Sequence, residues 1–103
     1  METNNPNKGA TFVKHGLLAK PQTVAIAAVR QGNFGKTDIE FVVSGRRFIV
    51  SVSPKNPNYA ALCDAFGTPD QWVGNTILVM DSNVVRTVEV SPVARKDGKP
   101  IAV

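Results

Sequence analysis

The stretch from Thr37 to Val52 constrains the fold more than any other part of this 103-residue chain. In TDIEFVV, Ile39, Phe41 and Val43 alternate with Asp38 and Glu40, the period-2 pattern of a strand with one face inward. Ser44-Gly45 supplies a two-residue turn. After Arg46, the pattern resumes with Phe48, Val50 and Val52 inward and Arg47, Ile49 and Ser51 outward. A β-hairpin is expected. On this reading Asp38 and Glu40 lie on a solvated face, paired with Arg46 or Arg47 across the strands. Outward Ile49 joins Val42 in a small apolar patch.

A helix follows the hairpin. Asn56 suits the cap and Pro57 the first helical position. Tyr59, Leu62, Cys63 and Phe66 form one apolar stripe, and Gly67 ends it. A second cap and a single turn are expected over Thr68 to Trp72. Upstream, Thr23 to Val29 (TVAIAAV) reads as one strand buried on both faces. A loop with two glycines, Arg30 to Lys36, connects it to the hairpin. Downstream, strands are expected over Asn75 to Met80 and Val84 to Pro92. Asp97-Gly98 then turns the chain toward a short last strand, Pro100 to Val103. Residues 1–20 read as a flexible tail or arm, and 21–103 as the folded domain. Within the arm, Ala10 to Leu18 suits either a short strand or one helical turn.

This order makes the chain mainly β, with one helix between the third and fourth strands. It matches a small OB-like five-stranded barrel, with the helix plugging one end. An SH3-like barrel and an α+β sandwich are the rival architectures.

Composition narrows the chemistry. The single histidine, His15, lies in the arm, and the single cysteine, Cys63, lies on the apolar helix stripe, where a thiol packs as a small hydrophobe. One of each makes neither a nucleophilic site nor a structural zinc site. Gly32 to Lys36 is too short for a phosphate loop and lacks the hydroxyl after the lysine. The expectation is a non-enzyme with no cofactor and no metal. No apolar run approaches membrane-spanning length, and a lone cysteine suits a reducing compartment, so a cytoplasmic protein is expected. The formal net charge of +4 favours an acidic partner.

The stretch from Asn58 to Gly67 (NYAALCDAFG), followed by Asp70-Gln71-Trp72-Val73-Gly74 and a strand, resembles a family of small phage and prophage proteins. In that family a helix ends in an aromatic–glycine pair. A short acidic loop follows, then Trp-hydrophobic-Gly-Lys and a strand. A Gly-Lys-Pro-like turn and an apolar strand close the chain, as Gly98 to Val103 does here. The resemblance follows the order of elements from Thr23 to Val103 and is most specific from Leu62 to Gly74. It implies an OB-like fold, a link to phage DNA replication or recombination, and work in a bacterial host's cytoplasm. Asn75 stands where a lysine is usual, and the loop before Trp72 is short. No catalytic residue carries over.

Two functions compete. An OB barrel binds single strands across its second and third strands and the flanking loops, with cations for phosphates and aromatic faces for bases. Arg30, Lys36, Arg46, Arg47 and Arg86 are the candidate cations, and Phe34 is the candidate stacking residue. Lys55, Arg95, Lys96 and Lys99 lie near the same loops. Trp72 is expected in the core rather than on a base, since its ring buries a large area. The competing class is a phage structural or adaptor module. It would self-associate through the arm, with Phe12, Leu17 and Leu18, or dock a partner on Val42 and Ile49.

Overall fold

The protein's structure, a computed structural model, describes residues 9–18, 20–81, 88–98 and 101. Seven strands and one helix follow in order. They are β1 (Thr11–Phe12), β2 (Gln22–Ala25), β3 (Ala28–Gln31), β4 (Thr37–Val43), β5 (Arg46–Val52), α1 (Pro57–Phe66), β6 (Thr76–Asp81) and β7 (Val88–Ala94). One sheet runs β1-β5-β4-β3 and the other β2-β6-β7. The fold is mainly β, as expected, but β5 and β7 share no ladder among the described residues.

The hairpin forms where its pattern places it. β4 and β5 pair antiparallel from Thr37↔Val52 to Val43↔Arg46. Ser44 and Gly45 both take positive φ, 51° and 80°, the backbone of the turn that suits a twisted two-residue hairpin. Ile39, Phe41, Val50 and Val52 fill the core, and the Phe41 and Phe48 rings stack with centroids 5.7 Å apart.

The expected single strand Thr23 to Val29 is corrected. It breaks at Ile26–Ala27 into β2 and β3, which belong to different sheets. Two neighbouring amides carry the break. Ile26 N–H donates to Asn75 O at 2.9 Å, and Ala27 N–H donates to Glu40 O at 2.8 Å. Nor is the run buried on both faces: Thr23, Ala25 and Ala27 are exposed.

The helix keeps its expected limits. Asn56 Oδ1 accepts from Asn58 N–H at 2.8 Å, Pro57 opens the first turn, and Gly67 at φ 93° closes the last. Leu62, Ala65 and Phe66 are buried, with Tyr59 and Cys63 packed at the margin of the same core. The helix lies against β7.

Trp72 is wholly buried, and its Nε1–H donates to Gly67 O at 2.9 Å. Tyr59 meets it edge-on, with centroids 5.4 Å apart. Asn75, noted in the sequence only for not being lysine, is a buried junction. Its Nδ2 donates to Gln71 O and Trp72 O, and its Oδ1 accepts from Lys96 N–H.

The described part of the arm lies on its own domain. β1 pairs in parallel with β5, Thr11↔Phe48 and Phe12↔Ile49, and Val13 N–H donates to Ile49 O at 2.7 Å. Gly16 N–H donates to Asp81 Oδ2 at 3.0 Å. Residues 82–87, 99, 100, 102 and 103 lie outside the described residues. The expected final strand falls there except for Ile101, which packs on the core.

Candidate nucleic-acid interface

The loop between β3 and β4 is closed by its own backbone. Gly32 N–H donates to Lys36 O at 2.8 Å, and Lys36 N–H donates to Asn33 O at 3.1 Å. The closure forms a 3-10 turn over Asn33–Gly35. Phe34 stands at its tip with φ 59° and ψ 32°. The left-handed region is unusual for a bulky side chain. The ring gains no burial in return, since the residue is 94% exposed. Lys36, two residues on, is also exposed.

Beneath the loop lies a shallow cleft of about 310 Å³. Phe12, Phe34, Lys36, Asp38 and Ser51 are among the residues that line it. Asp38 is the buried member of this wall. The residue is 5% exposed, and Ser51 Oγ–H donates to its Oδ1 at 2.6 Å. Gly32 packs so closely here that a Cβ would lie 2.5 Å from the same oxygen. Sequence reasoning named Lys36 and Phe34 and missed the rest of this wall. Phe12 was hidden in the presumed tail, and Ser51 carried no signal beyond its outward position.

Farther along the same face, Glu40 takes both neighbouring arginines. Arg30 Nη1 lies 2.8 Å and Arg47 Nη2 2.7 Å from Glu40 Oε1, and Arg47 Nε–H donates to Oε2 at 3.2 Å. Hydrogen bonds from Arg47, then from Arg30, hold the Glu40 carboxyl below its usual range, against the opposing effect of burial. Glu40 in turn raises the Arg47 guanidinium. The expected pairing with Arg47 is present. The expected solvated face is not: Asp38 and Glu40 are both buried. Ile49, directly opposite Glu40, is wholly buried too, so the apolar patch expected with Val42 does not form.

The candidate cations therefore do not line one groove. Two guanidiniums and one carboxylate leave the Arg30–Glu40–Arg47 group with a single net positive charge. Arg46 sits across from Val43 at the far end of β4, six strand steps from Thr37, or roughly 20 Å from where the Phe34 loop joins the strand. It also lies on the other face of the sheet, its guanidinium 5.4 Å from the Phe48 ring centroid. Arg86 and Lys99 lie outside the described residues. Arg95 lies 3.7 Å from Asp97, and Lys96 Nζ donates to Val73 O. What the structure brings together is Phe34, Lys36 and an unforeseen Phe12 around a buried carboxylate.

Among the described residues, no group of three or more histidine, cysteine, aspartate or glutamate side chains could hold a metal. No described helix is long and apolar enough to cross a membrane. No protein-family model, curated protein or solved structure matches the chain.

Proposed function

We propose that this chain is an OB-like, partly open barrel that binds single-stranded nucleic acid without catalysing a reaction. The fold reading is supported by β2 and β3, which act as one bent strand shared between two sheets. Counted so, and with β1 set aside, the helix falls between the third and fourth strands, as the OB plan requires. OB domains bind oligonucleotides on the face of their second and third strands and on the loop between the first two. Here the outer face of β4–β5 is largely covered, with Asp38, Glu40 and Ile49 buried, which leaves the exposed Gly32–Lys36 loop and the cleft beside it.

The observation that carries the function is Phe34. An aromatic ring held in water, on a backbone that disfavours it, is poorly explained by folding alone. Stacking on a base recovers apolar burial, about 1–3 kcal/mol per base. Lys36 is placed to meet a phosphate. The Arg30–Glu40–Arg47 group adds one net charge, so attraction along the sheet is modest. The expected mode is a loop contact covering few nucleotides. The phage-associated role implied by the sequence resemblance agrees with it.

The test is fluorescence anisotropy of a labelled single-stranded oligonucleotide, titrated with protein at low and physiological salt. The expected result is binding that exceeds duplex binding and falls as salt rises, because neutralised phosphates release counterions. Phe34→Ala should weaken binding and leave the melting temperature in place. No binding at low salt would overturn the reading and leave the adaptor class. Equal loss of binding and stability in Phe34→Ala would show the ring to be part of the fold.

A further inference from the structure

We infer that the Asp38 cleft selects the base it holds, favouring bases with an exocyclic amine over thymine and uracil. The inference rests on the nucleic-acid reading above and deepens it.

Three observations converge on the cleft. The first is its size. About 310 Å³ lies at the small end of ligand pockets, which run from roughly 300 to 1,000 Å³. That volume suits a single base rather than a run of nucleotides. The second is its walls. Phe34, 94% exposed, and Phe12, 43% exposed, both line it and offer aromatic surface to a flat ligand.

The third is Asp38. The two carboxylates of β4 differ in a way that matters. Arg30 lies opposite Asp38 in the strand register, yet its side chain reaches along the strand to Glu40. Asp38 is left without an ion pair among the described residues, and its hydrogen bond comes from Ser51 to Oδ1. Oδ2 has no hydrogen-bond donor there. It is not sealed from solvent either, since the only fully enclosed unpartnered side-chain oxygen among the described residues is Asp81 Oδ1. Asp38, a residue only 5% exposed, therefore lines a cleft beside two aromatic residues while its second carboxylate oxygen keeps an unused acceptor.

An ionised carboxylate only accepts hydrogen bonds. Cytosine N4–H₂, adenine N6–H₂ and guanine N2–H₂ can donate to it. Thymine and uracil offer one donor, N3–H, recessed between O4 and O2, so a carboxylate that reaches it also faces two acceptor oxygens. Aspartate accepting from cytosine N4 is a known form of base readout. Lys36, which also lines the cleft, remains for the phosphate. Phe34 and Lys36 thus supply affinity, and Asp38 supplies choice.

The experiment compares oligodeoxycytidine with oligodeoxythymidine of equal length, near neutral pH, for the wild type and for Asp38→Asn. The two pyrimidines have similar size and differ at positions 3 and 4 and in the 5-methyl group of thymine. The wild type should bind the cytidine oligomer about tenfold more tightly, the discrimination a well-placed base contact gives. In Asp38→Asn the carbonyl oxygen still accepts from Ser51, and the amide presents a donor to the cleft. The ratio should fall to about one or reverse, through tighter thymidine binding. Equal affinities for the two oligomers in the wild type would overturn the inference and leave the single-strand reading standing. Failure to bind either would overturn both. The wild-type ratio needs no mutant, so the test survives if Asp38→Asn does not fold.

Discussion

Phe34 and Trp72 make a natural pair. Each is an aromatic residue at a 3-10 turn, with a glycine nearby. One ring is 94% exposed and the other wholly buried. The turn at Trp72 is tied down on every side. Thr68 N–H donates to Gln71 Oε1, Trp72 Nε1–H to Gly67 O, and Asn75 Nδ2 to two carbonyls of the turn. Among the described residues, the turn at Phe34 is closed by its own backbone alone. The backbones differ too: Phe34 is left-handed at φ 59° inside its turn, and Trp72 right-handed at φ -78° at the end of its own. The buried ring sits in a polar frame, and the exposed ring does not.

The comparison breaks most sharply at Trp72. Trp72→Ala should lower unfolding free energy by about 3–5 kcal/mol, measured by urea denaturation, as aromatic truncation in a core does. A loss under about 1 kcal/mol would mean that this ring is not structural. Next comes the frame itself. Asn75→Ala leaves Gln71 O and the Lys96 N–H without their partner, while Trp72 O keeps the backbone N–H of residue 75, and should cost about 2–3 kcal/mol.

The Phe34 face is held differently, by charge, which makes it sensitive to acid. Glu40 titrates below its reference value of 4.5 in the folded state. Its stabilisation is therefore complete above the unfolded pKa and is lost as pH falls through the lower, folded one. Wild type should lose stability from about pH 4.5 downward, and Glu40→Gln should lose less over that interval. Parallel acid curves would remove Glu40 from the account. The smallest effect is expected at Phe34. Phe34→Gly relieves a left-handed side chain that packs on little, so stability should hold or rise by up to about 1 kcal/mol. The two aromatics would then differ in sign as well as in size.

Much of the fold was legible from local signals. The helix announced both ends through Asn56-Pro57 and Gly67, and the hairpin announced its register through alternation around Ser44-Gly45. The break at Ile26–Ala27 was not legible. Alanines and valines continue through it unchanged, and its cause is two distant acceptors, Asn75 O and Glu40 O. The face of the sheet was misread for a related reason. Alternation tells which way a side chain points, not whether water waits there. Ile49 among outward carboxylates was the available hint that this face is covered. The cleft itself was half legible. Phe34 and Lys36 stood out as an aromatic beside a cation, while Phe12 joins them only through a parallel strand that no short pattern encodes.

That strand bears on what the edge of β5 is free to pair with. With Thr11, Phe12 and Val13 in place, the middle of β5 is already occupied on the side away from β4. Without them, β5 would offer a row of unspent N–H and C=O groups to any passing chain, the arrangement that invites strand addition and aggregation. Arg46 and Arg47 protect one end of that row with charge, but nothing comparable stands at Val50 to Val52. A three-residue segment that looks dispensable therefore acts as a built-in stopper, and trimming it would be felt first as precipitation rather than as unfolding.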